Sequence, residues 1–177
     1  MTSPPALRST VDSRGCIPPA LFPSGPERQW RIFRGRAPEL ARLRRWLVRL
    51  LPDTPAPDDV VTIAVELATN AIQHTASGQG GAFTVEIRWL AEPPAIRVAV
   101  ADAGEAARPK WPRRAPGIVT SGYGLYMVRR LASRTGVSGD RRGRHVWAEV
   151  PWTGPPAQWT RPDHGADRPE IRGSWPS

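Results

Sequence analysis

Two runs of alternating apolar and polar residues constrain this chain most. Phe83, Val85, Ile87 and Trp89 interleave with Thr84, Glu86 and Arg88, and the pattern resumes at Ile96, Val98 and Val100 after Glu92-Pro93-Pro94. A period of two marks a strand with one covered face, and a turn-forming break between two such runs predicts a β-hairpin. Asp102 keeps the parity of Ile96, Val98 and Val100, so its carboxylate is expected on the covered side of the sheet, where it needs a partner.

Helical periodicity lies on both sides of the hairpin. After a short strand from Trp30 to Phe33, Pro38 stands at a first helical position, and Leu40, Leu43, Leu47 and Leu50 recur at helical spacing. Arg42, Arg44, Arg45 and Arg49 point mostly elsewhere, as a solvated face or a docking surface for a partner. PDTPAP at 52–57 breaks the chain, Asp58 is placed to cap the next helix, and that helix is expected to run to about Gln73. Its apolar side is Val60, Ile63, Ala64, Leu67 and Ala71, which leaves Thr62, Glu66, Asn70 and His74 on a neighbouring stripe.

Residues 105–121 carry too much proline for a helix and too little alternation for a strand. They read as a long loop, either a lid bringing Arg108, Lys110, Arg113 and Arg114 to a ligand or a solvated connection. Gly122 and Gly124 then precede a helix whose Leu125, Val128 and Leu131 face inward. A final hairpin follows, with Val137-Ser138, a turn through 139–143, and Val146, Ala148 and Val150. These pieces specify an α+β domain, a two-layer α/β sandwich with a mostly antiparallel sheet covered on one face by about three helices. The domain is expected over 27–153, between Pro-rich segments 1–26 and 154–177 that read as flexible.

Composition narrows the chemistry. Cys16 is the only cysteine, so no internal disulfide or cysteine metal site can form, and a reducing cytoplasm fits best. No run of about 18 apolar residues suggests a membrane span. The net charge of +9 would suit nucleic acid, but Lys110 is the only lysine, and arginine with abundant Ala, Pro and Gly reads as GC-rich codon usage, so nucleic acid is not the expected partner. Lys110 lies between Pro109 and Trp111, the setting of neither a Walker P-loop nor a eukaryotic-type kinase, and no HExxH, CxxC or nucleophile elbow occurs.

The stripe of Glu66, Asn70 and His74 offers a carboxylate, an amide oxygen and an imidazole. These suit a proton acceptor, a magnesium ion and a phosphate, although a solvated helix face would look the same. Asp102 could accept from an adenine amino group with Gly104 admitting the base, or Asp-Ala-Gly could simply end the strand as a turn. Glycines at a helix start let backbone N–H groups converge on an anion.

ELATNAIQH on a helix, VADAG ending a strand, a long loop, and SGYGLYMV opening a helix occur in the order of the N, G1 and G2 boxes of the GHKL ATP-binding fold. Over about residues 28–152 the chain resembles this Bergerat fold, and its compact size is similar to the anti-sigma-factor serine/threonine kinases of actinobacteria. The resemblance implies ATP and Mg²⁺ as cofactors, with Asn70 coordinating magnesium through the ATP phosphates, Glu66 as general base, and His74 near the phosphates. It implies adenine binding by Asp102 and Gly104, and phosphate binding by the backbone of Gly122, Tyr123, Gly124 and Leu125. The substrate would be a serine of an anti-sigma-factor antagonist, the partner a sigma factor, and the assembly a homodimer as in related proteins. Ala106 stands where many relatives have glycine, and His145 where a threonine near adenine is common. These departures suit an alternative, an ATP-binding partner switch without significant kinase turnover.

Overall fold

The computed structural model describes residues 28–51, 55–104, 111, 123–140 and 143–151. Their elements are β1 (Arg28–Arg34), α1 (Pro38–Leu50), α2 (Pro55–His74), a 3-10 turn (Ala76–Gly78), β2 (Ala82–Ala91), β3 (Pro94–Asp102), α3 (Tyr123–Leu131), β4 (Arg134–Asp140) and β5 (Gly143–Pro151). The strands form one sheet in the order β1-β2-β3-β5-β4, and every neighbouring pair is antiparallel. The expected α+β two-layer sandwich is the fold observed.

Register aligns the apolar faces. Val85 pairs with Val100 and Ile87 with Val98, while on the other side of β3, Val100 pairs with Val146, Val98 with Ala148 and Ile96 with Val150. These side chains form one apolar surface, across which α2 lays Val60, Ile63, Ala64, Leu67 and Ala71, all buried. Leu43 and Leu47 of α1 are fully buried, each contributing roughly 2 kcal/mol. Phe33 stacks on Phe83 at 5.6 Å and meets Trp46 at 5.9 Å, closing the core toward β1. Val128 anchors α3 against the same core.

The opposite face of the sheet carries no described helix and is laced by charges. Arg28 and Glu86 pair at 2.7 Å across β1 and β2. Arg97 of β3 bonds the buried Glu149 of β5 while its guanidinium lies 4.6 Å from the Trp147 ring centre, and Arg134 approaches Glu149 at 3.5 Å.

Three boundaries differ from expectation. α2 begins at Pro55, so Asp58 lies in its first turn rather than capping it. The first N–H groups of a helix have no intrahelical partner, so prolines there break nothing, and an early carboxylate still favours the helix dipole. The last hairpin is tighter than expected, since strand pairing continues to Asp140 and Gly143. β1 also runs from Arg28 to Arg34, longer than its apolar signal, because β2 offers partners throughout. Both Pro-rich ends, 1–26 and 154–177, lie outside the described residues.

The chain after β1 passes close to the end of α2. Gly35 N donates to Gly81 O at 2.9 Å, and a Cβ at Gly35 would lie 1.6 Å from the backbone oxygen of Ser77. No rotamer relieves a clash with backbone, so Gly35→Ala is expected to destabilise the fold by about 3 kcal/mol. Chemical denaturation would measure it; an unchanged midpoint would show that this approach is not tight in solution.

Candidate functional site

β3 is the middle strand, and its last residue, Asp102, faces the helical layer at 5% exposure. Asp102 Oδ1 accepts from Gly104 N at 2.8 Å, closing an Asx-type turn in which Gly104 takes a φ of +78° that favours glycine. The turn is tied to the end of α2. Ala103 N donates to Ser77 Oγ at 3.0 Å, and Ala76 N donates to Gly104 O at 3.3 Å. Thr75 sets that knot by donating from Oγ1 to Ala71 O at 2.6 Å and accepting from Ser77 N at 3.2 Å. Neither Thr75 nor Ser77 was singled out from sequence. Their signal was hydroxyl residues directly after a helix, the residues that bond backbone in place of further helix.

α2 brings the other end of the site to α3. Glu66 and Asn70 lie one turn apart on its half-buried stripe, and a Cβ added at Gly124 would meet Glu66 Oε2 at 2.3 Å. The carboxylate therefore rests against the opening turn of α3. That turn begins at Tyr123, so Gly124 lies inside the helix rather than before it. N–H groups of a first helical turn lack intrahelical acceptors and are available to an anion. Asn70 Nδ2 is buried with no hydrogen-bond partner among the described residues, an uncommon state for an amide inside a protein.

These features fit a nucleotide phosphate. A buried amide NH2 group with no acceptor among the described residues is suited to donate to a phosphate oxygen, and the described residues contain no group of three or more His, Cys, Asp or Glu that would hold a metal alone. Magnesium in phosphoryl-transfer sites is held largely by substrate phosphates and a few protein oxygens. Tyr123 is exposed and Leu125 half-buried, so contacts from this turn to a phosphate would come from the backbone.

Other expected residues fall elsewhere. His74 ends α2, exposed to solvent, and no described contact draws it toward Asp102 or Gly124. Gly122 lies outside the described residues, as does the expected lid or connection at 105–121 except Trp111, which packs against the core. His145 requires a correction. It pairs with Ala101, so its side chain lies on the sheet face opposite Asp102, among Glu86 and Arg28. Burial there pushes its pKa down, Glu86 opposing and Arg28 assisting. The β5 residue directly across from Asp102 is Arg144, 4% exposed and not anticipated from sequence.

Burial pushes the Asp102 carboxyl up to about 6, against the Gly104 hydrogen bond and the Arg144 charge, which both lower it. Because the folded value exceeds the unfolded 3.8, the protonated form is favoured by folding, and stability falls as pH rises from 3.8 to about 6 and then levels. At 1.36 kcal/mol per pKa unit the loss is roughly 3 kcal/mol. Asp102→Asn imitates the protonated acid. It is expected to be more stable than the wild type at pH 7 by up to that amount and equal to it near pH 3.5, measured by denaturation across pH without nucleotide. A difference independent of pH would mean that Asp102 titrates normally.

Comparison with known proteins returns a family that matches this geometry. A model of the histidine kinase-like ATPase domain matches residues 35–150, from the end of β1 to the end of β5. No curated protein sequence matches the chain. No described helix is long and apolar enough to cross a membrane. The matched span covers Glu66, Asn70, Asp102 and Gly124 and well over half of the sequence, so the chain belongs to the histidine kinase-like ATPase domain family and is an ATP-binding protein.

Proposed function

We propose that the protein is an ATP-dependent serine/threonine kinase of the anti-sigma-factor type, which phosphorylates a serine of an antagonist protein and binds a sigma factor. The observation that carries this reading is the Glu66 carboxylate, held against the opening turn of α3 and one helical turn from Asn70, whose Nδ2 has no acceptor among the described residues. A phosphate bound at that turn would lie beside a group able to take the proton of an attacking hydroxyl.

Each residue has a separable task. Asp102 accepts a hydrogen bond from the base and Gly104 keeps the backbone low beneath it. Asn70 Oδ1 would hold a magnesium ion, which would supply charge to offset that of the phosphates. First-turn N–H groups of Tyr123, Gly124 and Leu125 hold phosphate oxygens. Glu66 takes the serine proton as the hydroxyl oxygen attacks the terminal phosphorus of ATP, the bond from that phosphorus to the bridging oxygen breaks, and ADP leaves with that oxygen.

The second reading is an ATP-binding partner switch with negligible turnover. Of the two departures that motivate it, His145 points away from Asp102, and Ala106 lies outside the described residues. Phosphate transfer from Mg-ATP to purified antagonist proteins separates the two readings. Glu66→Ala is expected to lower transfer by about 10²- to 10⁴-fold while ATP still binds. Gly124→Ala is expected to lower it also, by displacing the Glu66 carboxylate, with little loss of thermal stability because a flexible side chain yields. Tight ATP binding with no transfer by the wild type to any antagonist would sink the kinase reading and leave the switch.

A further inference from the structure

The backbone that presents Asp102 lies beyond the support of the sheet. Pairing of β3 with β2 ends at Ala101 and with β5 at Asp102, so Ala103 and Gly104 belong to neither ladder. Among the described residues they make three hydrogen bonds: Ala103 N to Ser77 Oγ at 3.0 Å, Gly104 N to Asp102 Oδ1 at 2.8 Å, and Ala76 N to Gly104 O at 3.3 Å. The first and last anchor the turn to the segment after α2, and only the second reaches the carboxylate.

That second bond depends on the other two. Glycine leaves a φ of +78° readily, so the turn that brings Gly104 N to Asp102 is not held by its own backbone preference. The peptide carrying Gly104 N lies between one peptide anchored at Ala103 N and another anchored at Gly104 O, and these anchors fix its plane. The shorter anchor ends on a side chain. Ser77 is fully buried, and its N donates to Thr75 Oγ1 at 3.2 Å, while that hydroxyl donates at 2.6 Å to the O of Ala71, the neighbour of Asn70 in the chain. The Ser77 hydroxyl is therefore held by α2, and a drifting turn leaves it behind.

We propose that Ser77 is a positioning residue for base recognition, its hydroxyl aiming the Asp102 carboxylate at the 6-amino group of adenine through the Ala103–Gly104 turn. The inference rests on the contact between Asp102 and adenine proposed above. Ser77 itself touches no nucleotide atom. Without its hydroxyl the turn loosens, Asp102 no longer meets the amino group from one direction, and a hydrogen bond weakens steeply as it bends. The phosphate end, on α2 and α3, keeps its geometry.

Calorimetric titration of the full chain with magnesium and either ATP or purine riboside triphosphate, which lacks the 6-amino group, isolates this contact. The wild type is expected to prefer ATP by about 10- to 100-fold, the range of a hydrogen bond to a charged group. Ser77→Ala is expected to reduce that preference to about threefold or less by weakening ATP, with purine riboside triphosphate changed less than about threefold. Ser77→Cys returns a weak acceptor of similar size and is expected to fall between the two. Equal loss of both ligands in Ser77→Ala, or loss of neither, overturns the proposal.

Hydrogen exchange on the wild type needs no variant to fold. Coupling is reciprocal, so the Ala103 N–H is expected to exchange more slowly with ATP bound than with purine riboside triphosphate bound at saturation. Equal protection by the two ligands overturns the proposal. A wild type that binds both ligands equally well overturns the Asp102 contact and this role of Ser77 together while leaving the nucleotide site, and binding of neither overturns the site as well.

Discussion

The hydrogen bond from Ala103 N to the fully buried Ser77 Oγ is the constraint on which the geometry of the site depends. α2 carries Glu66 and Asn70, β3 ends in Asp102, and the two elements lie far apart along the chain. Packing of α2 on the sheet fixes their distance only to the tolerance of apolar contact. The clasp formed by Thr75, Ser77, Ala103 and Gly104 removes that slack, because its hydrogen bonds fix distance and direction where apolar contact does not. The end of β3 with Asp102 and the end of α2 are thereby held as one piece. α3 meets them from above through Gly124, where close approach depends on a missing side chain.

Electrostatics follow from this arrangement. A carboxylate at the end of a middle strand is shielded on both sides by neighbouring strands and above by helices, so Asp102 is raised by desolvation despite a backbone donor and a nearby guanidinium. A site that binds a base through such a group carries a cost in the empty state that ligand contact relieves. The opposite sheet face manages charge differently. There Glu86 and Glu149 are each matched by arginines that remain partly exposed, and Trp147 lies beneath Arg97.

Much of this was readable from sequence because it depends on local periods. A period of two placed Asp102 on the covered face, and a period near 3.6 placed Glu66 and Asn70 on one stripe beside the apolar side of α2. What failed depended on register between distant segments. Nothing near residue 144 encodes which residue of β3 it will face, and an offset of one exchanges the two sides of a strand. That offset separates His145, expected near the base, from Arg144, found across from Asp102. The start of α2 at Pro55 is not legible in the sequence because proline is informative inside a helix and nearly silent in its first turn.

The pairing of β3 with β5 has one more consequence. Asp102 and Arg144 are register partners, so the ladder closes a single large loop containing residues 105–122, α3 and β4. The entropy of closing a loop rises only with the logarithm of its length, and each doubling adds about 0.6 kcal/mol. Insertions or deletions between Gly104 and Tyr123 therefore change the cost of folding very little. Sheet order thus lets the segment between β3 and α3 vary in length almost independently of the stability of the domain.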